Sequence, residues 1–225
     1  MADLLFDSSA LISLTRSCFI KTLPFLQSST DARFFITPGV EREVVAKPLS
    51  LKTKEYSLSA LRIKELLLRK TLSVINDDID DRVKNLLNIA NNIFFARGKP
   101  LSIVHFAEME IIAIAQKLNI NNIVIDERTT RFITESPISY TKHLESELNF
   151  SILINKKNLS AFQEIASNLK IIRSSEILIL AYQLGYFDSF KSLKKDFLEA
   201  GLYSLRYSGC SLSFGEIEKF MKKVN

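Results

Sequence analysis

Glycine is scarce in this chain: 6 residues of 225, where average usage near 7% would give about 16. Only 5 prolines accompany them. A many-turned all-β fold needs both residue types at its turns, so this deficit favours long helices. Long hydrophobic runs are missing as well. No window of 18 consecutive apolar residues occurs, which excludes a membrane-spanning helix. The N-terminal MADLLFDSSALISL lacks a basic leader and carries Asp3 and Asp7 where the apolar stretch of a signal peptide should run, so a cytoplasmic location is expected. The two cysteines, Cys18 and Cys210, have neither CxxC spacing nor a histidine nearby; no zinc site is expected, and both read as small core residues. His105 and His143 are the only histidines, and neither has an evident Ser or Cys partner, which argues against a hydrolase triad.

At 47% hydrophobic and 24% charged, the composition is that of a globular protein, and 225 residues suffice for one ample domain or a domain with a helical annex. The net charge of +5 is unevenly spread. Residues 1–150 hold 19 Lys plus Arg against 18 Asp plus Glu, and residues 151–225 hold 11 against 7. A basic C-terminal portion on a near-neutral first portion is compatible with an anionic partner, and equally with ordinary solvated helices.

Leu4-Leu5-Phe6, ending at Asp7-Ser8-Ser9 before Ala10, Leu11, Ile12 and Leu14, reads as a buried strand leading into a capped helix. Phe34-Phe35-Ile36 repeats the pattern, with Thr37 as cap, Pro38 at the first helical position, and Val40, Val44 and Val45 on one face. Two strand-then-helix units suggest a parallel α/β sheet. Further helices are expected over 57–70, with Leu58, Leu61, Leu66 and Leu68 as its apolar positions, from the aspartates at 77–81 to about Arg97, and over 104–118. Residues 71–75, 122–125 and 150–154 are strand candidates. Beyond a soft boundary near 155, most of the chain reads as helical.

Carboxylates recur where an open α/β sheet binds ligands, beyond the carboxyl ends of its strands. Asp7 follows the first strand, Glu41 and Glu43 open the helix after the second, Glu108 and Glu110 start another helix, and Asp126 and Glu127 follow the NIVI segment. Clustered carboxylates repel one another unless a cation neutralises them, and hard oxygen ligands suit Mg²⁺ or Mn²⁺. Two such ions can activate a water and stabilise the leaving oxygen of a phosphodiester without any histidine or serine nucleophile. On a helix, residues two apart point in nearly opposite directions, which favours Glu43 over Glu41 and Glu110 over Glu108. Asp126 is favoured over Glu127, while Glu108 is retained as a further ligand candidate. Arg128 and Arg131 could contact a phosphate bidentately. The aspartates at 77–81 are accounted for by capping and the helix dipole, and His105 reads as structural.

The segments LLFDSSALI, TPGVEREVV, HFAEMEIIAIA and IVIDERTTR, taken in this order and strand-end context, resemble the PIN-domain nucleases, in particular a long archaeal branch with a C-terminal helical extension. The resemblance covers about residues 3–155. It implies a three-layer α/β/α sandwich with a central parallel sheet over 1–155, a helical extension over 156–225, and an endoribonuclease that uses Mg²⁺ or Mn²⁺. By position, Asp7, Glu43, Glu110 and Asp126 would be the catalytic, metal-holding acids, with Ser9, on the substrate-binding side, orienting Asp7 or a metal-bound water. Glu110 stands where the small toxins of the family usually carry aspartate, and Ala107 where glycine is common. RNA is the implied partner, ahead of single-stranded or flap DNA. A homodimer and a small antitoxin-like protein are the protein partners such a family admits, and a non-catalytic RNA- or protein-binding module is the alternative function.

Overall fold

The computed structural model describes residues 2–129 and 137–224. Five short strands, β1 (Asp3–Phe6), β2 (Arg33–Ile36), β3 (Leu72–Val74), β6 (Asn122–Val124) and β8 (Lys170–Ile172), form one parallel sheet in the order β3-β2-β1-β6-β8. The two central strands are apolar on both faces. Leu4, Leu5 and Phe6 of β1 and Ile123 and Val124 of β6 are all buried, as a parallel sheet covered by helices on each side requires.

The helices fall into two packed groups. α1 (Ser8–Arg16), α2 (Thr22–Ser29), α4 (Ser57–Leu68), α9 (Ser174–Gln183) and α10 (Lys194–Ser208) contact one another. α5 (Asp80–Ala90), α6 (Phe106–Leu118) and α8 (Lys156–Ala166) form the second group, with α6 lying against β1 and β6. The arrangement is α/β with a central parallel sheet flanked by helices, compatible with a three-layer sandwich. A smaller antiparallel sheet joins β4 (Phe94–Ala96), β5 (Lys99–Pro100) and β7 (Ile152–Ile154). α7 (Pro137–Leu148) packs on β7, and α11 (Phe214–Met221) on α10. Among the described residues no helix is long and apolar enough to cross a membrane.

The helical run after β2, here α3, is composite: an α-turn at Pro38–Glu41, a π-helical stretch at Arg42–Ala46 and another α-turn at Lys47–Ser50. Proline explains the middle. Pro48 has no N–H to donate and its ring presses on the preceding turn, so the helix widens upstream of it, and Lys47 N–H reaches back to the Arg42 carbonyl instead of Glu43. Thr37 caps the run by accepting from Val40 N–H at 3.2 Å.

Four expectations need correction. The chain after 155 is not a separate helical extension, because β8 supplies the outer strand beside β6, and α9 and α10 pack on α1. Its brevity, three residues of KII between two helices, hid it. The helix expected to reach Arg97 ends at Ala90, where Asn91 turns outward to accept from Ile103 and Val104 N–H at 2.8 and 3.0 Å. The next residues form the β4-β5 hairpin, whose two-residue turn places Arg97 and Gly98 at φ 49° and 75°. Both values are positive, as the mirror-image hairpin turns demand. In α4 the core takes Ala60, Ile63 and Leu66, while Leu58, Leu61 and Leu68 face outward. Cys18 is exposed in a left-handed turn at φ 65°, and only Cys210 is buried.

A chain ended after residue 155 lacks β8, α9 and α10, and so uncovers the edge of β6 and one face of α1. The full chain is expected to melt in one cooperative transition, and the shortened chain is expected to lose it. Circular dichroism melting checks this, and a sharp transition in the shortened chain would show that the first portion folds alone.

Candidate acidic site at the carboxyl edge of the sheet

Asp7, at the end of β1, is buried and serves as the N-cap of α1. Its Oδ2 accepts the Ser9 N–H at 3.0 Å and also the Ser9 hydroxyl. The same hydroxyl accepts the Asp126 N–H at 3.0 Å. One serine thus ties the end of β1 to the end of β6. Asp7 N–H donates to the Val124 carbonyl at 2.9 Å, reinforcing the joint.

Asp126 is wholly buried, and both its oxygens are engaged. Oδ1 accepts Ser174 N–H at 2.7 Å, and Oδ2 accepts the Ser174 hydroxyl at 2.6 Å. Ser174 opens α9, so the carboxylate sits on the exposed donors of a helix N-terminus. Cys210 lies beside this pair. Burial, and then the Asp126 charge, push its thiol up to about 12, so it stays protonated at neutral pH.

Glu110 is likewise tied down. Its Oε2 accepts Gly39 N–H, in the first turn of α3, at 2.8 Å. Gly39 is required by this contact, because a Cβ there would overlap the Glu110 carboxylate.

The remaining acids behave differently. Glu108 sits three residues after the N-cap His105 and accepts its N–H at 2.9 Å, closing a capping box. Burial nevertheless pushes Glu108 up to about 8, and the charges of Glu127, Asp7 and Glu43 add to the push. Asp7 is raised in the same direction, by burial first and then by Glu43, against the lowering effect of its Ser9 hydrogen bonds. Glu43 lies in the π-helical stretch of α3 with an exposed side chain. Glu127 accepts Thr129 N–H at 3.0 Å. Asp7, Glu43, Glu108 and Glu127 therefore share one field. Among the described residues, no Lys or Arg forms an ion pair with Asp7, Glu43 or Glu108.

Of the acids singled out by sequence, Asp7, Glu43 and Glu108 come together electrostatically, while Glu110 and Asp126 hold helix N-termini. Glu127, ranked behind Asp126 in sequence, is the acid of that pair that acts on Glu108. Gly39 and Ser174, the donors that hold Glu110 and Asp126, carry no motif of their own. The TPG start of α3 is the available signal for Gly39, and none exists for Ser174, which lies 48 residues from its partner. Arg128 is exposed and lines a groove with Glu127 and Arg206. Arg131 lies outside the described residues. As the side chains stand, no group of three acids, histidines or cysteines among the described residues is close enough to hold one ion. The donor chemistry of Asp7, Glu43, Glu108 and Glu127 still fits a hard divalent cation: all four are carboxylates, and burial together with the charge of the others keeps two of them prone to protonation.

The chain has no match among protein-family models, curated proteins or solved structures.

Because the folded-state value of Glu108 is raised, the folded chain binds more protons than the unfolded one between about pH 4.5 and about pH 8. Its contribution to stability is complete below that window and is lost as pH rises through it. Glu108→Gln retains the capping acceptor and removes the titration, so its melting temperature should fall less than wild type across the same window. Parallel pH-resolved thermal melts check this; identical slopes would sink it. Asp126→Asn replaces a charged acceptor pair by an amide whose NH₂ meets a donor of Ser174, and should cost roughly 2 kcal/mol or more in denaturant unfolding.

Proposed function

We propose that this chain is a PIN-like endoribonuclease that hydrolyses RNA phosphodiester bonds with the help of Mg²⁺ or Mn²⁺. The observation that carries the reading is the gathering of Asp7, Glu43, Glu108 and Glu127 at the carboxyl edge of a parallel sheet, where burial first, and the neighbouring charges after it, raise Asp7 and Glu108. The charge of Glu43 on Asp7, and of Glu43 and Glu127 on Glu108, opposes ionisation of those two carboxyls, and an arriving cation relieves that opposition. The 3-2-1-6-8 strand order, with β1 and β6 adjacent at the centre, supports the same reading, since ligands of open α/β sheets bind beyond the carboxyl ends of such strands.

In this reading Asp7, Glu43, Glu108 and Glu127 would hold the cation after their side chains draw together, and Asp126 and Glu110 act one step behind them as positioning residues. A bound divalent ion would supply the positive charge that an attacking water and a leaving oxygen both need. Ser9 fixes the Asp7 carboxylate through its hydroxyl and hands the orientation on to Asp126 N–H. Glu110 secures the first turn of α3 and so the placement of Glu43. Arg128, exposed beside Glu127, is available to a substrate phosphate.

A second reading, a non-catalytic RNA- or protein-binding module, is favoured by one observation: Glu110 and Asp126 are already engaged in hydrogen bonds within the fold. Cleavage of labelled single-stranded RNA, structured RNA and single-stranded DNA in Mn²⁺, Mg²⁺ or EDTA separates the two. The nuclease reading expects metal-dependent cutting of RNA that falls by about 100-fold or more in Asp7→Asn. Glu127→Gln should likewise lose activity. Cutting by Asp7→Asn at the wild-type rate rejects the assignment; uptake of RNA without cutting in any metal gives the lead to the binding module.

A further inference from the structure

Arg62, on α4, is half-buried, and among the described residues no carboxylate pairs with it. Its Nη1 reaches across to the end of α1, donating to the Thr15 carbonyl at 3.4 Å and lying 3.8 Å from the Cys18 sulfur. The same carbonyl accepts Cys18 N–H at 3.2 Å, so the guanidinium receives a share of one partial negative charge and nothing more. A positive charge withdrawn from water without a counter-charge leaves an electrostatic demand unmet. Arg69, one turn further on, has its demand met by Glu65 at 2.8 Å. Lys21, across from them at the start of α2, forms no ion pair among the described residues either.

All of these side chains line one groove of about 750 Å³ between α4 and the turn joining α1 to α2. Ile20 and Leu66, both buried, and the half-buried Pro24 give it an apolar floor, while Lys21, Glu65 and Arg69 are exposed above. Three cations thus face one acid, and that acid is already taken. The topology fixes where the groove opens. α1 leaves the carboxyl edge of the sheet at Ser8 and has run its length by Arg16. α4 passes directly into the start of β3, with Thr71 N–H donating to the Leu66 carbonyl at 3.0 Å. The groove therefore lies at the amino edge, the opposite end of the strands from Asp7 and Asp126, and neither of those acids lines it.

We propose that this groove binds a small phosphorylated organic molecule, its phosphates on Arg62 and Lys21 and its carbon skeleton over Ile20, Pro24 and Leu66. Among the described residues the hydrogen bonds of Arg62 use Nη1 alone, which leaves Nε and Nη2 for two oxygens of one phosphate. The bond to Thr15 holds the guanidinium plane in place before the ligand arrives, so little side-chain entropy remains to be lost on binding. Lys21 adds a point charge that a second phosphate can meet from another direction. A bare inorganic ion would leave the floor uncovered, whereas an organic phosphate buries apolar surface there as well. None of the carboxylates assigned to the divalent cation takes part, so the proposal stands whether or not the chain is a nuclease.

The test is calorimetric titration of the full chain with ADP, inorganic pyrophosphate and citrate in EDTA, which keeps divalent ions from bridging phosphate to the acids. ADP should bind most tightly and citrate least. Arg62→Gln and Lys21→Gln should each weaken ADP by roughly 10- to 150-fold. Lys21→Gln removes no hydrogen bond or ion pair of the fold, so its loss cannot be a folding defect. Arg62→Lys, which keeps the charge without the fork, should recover binding in part. Lys157→Gln, which removes one positive charge from α8, should bind as wild type does. Position is read separately: Cys18 is exposed and Cys210 buried, so ADP should slow alkylation of Cys18 by iodoacetamide, and should fail to do so in Lys21→Gln. No binding of ADP, or unchanged affinity in both glutamine variants, overturns the proposal. Equal weakening in Lys157→Gln also overturns it, since net charge alone would then be felt. Citrate binding as tightly as ADP removes the phosphate assignment, and a short RNA that protects Cys18 at lower concentration than ADP gives the groove to a strand instead.

Discussion

Asp126 is a carboxyl group with no exposure to water, and the carboxyl edge of the sheet is organised around making that tolerable. A buried carboxyl left without hydrogen-bond partners is costly. Here both oxygens receive donors from Ser174, at the positive end of α9, while its own N–H is taken by Ser9. This arrangement demands that α9 begin opposite the end of β6, which places β8, the strand leading into α9, beside β6. The outer strand of the sheet, the last third of the chain and the orientation of Asp7 are all tied to satisfying one carboxylate.

The same logic divides the acids into two sets. Glu110 and Asp126 lie on backbone donors at the starts of α3 and α9, where a negative charge complements the unsatisfied N–H groups. Glu108 also caps a helix start, its own, yet it is raised because it is half-buried and because Glu127, Asp7 and Glu43 lie near it. A fold optimised for stability alone would have replaced one of these with a neutral residue.

Much of this is legible in the sequence, and the failures share a cause. β1 and β2, with their helix caps at Asp7 and Thr37, can be read because apolar run, cap and proline lie within a few residues of each other. So can the candidate acids, since strand-end placement is a local signal. The illegible features depend on partners distant in the chain. Glu110 meets Gly39 across 71 residues and Asp126 meets Ser174 across 48, and neither pairing leaves a periodic trace. The preference for Glu110 over Glu108 and for Asp126 over Glu127 rests on helix direction and strand proximity. Such reasoning ranks residues by how near they come to the edge, and the nearest ones are those the fold uses for itself.

β8 and the β4-β5 hairpin escape for a related reason. Three residues of a strand carry no measurable period, and their identity as strand comes from the neighbour they pair with. KII is apolar enough for either helix or strand, and the edge of β6, with the requirement that Ser174 face Asp126, decides between them. The buried carboxylate and the short strand are thus one constraint seen twice: the hydrogen bonds fix where α9 starts, and the strand before it carries the chain from α8 to that point. A change that removed the Asp126 charge would act on the sheet edge as much as on the acidic cluster.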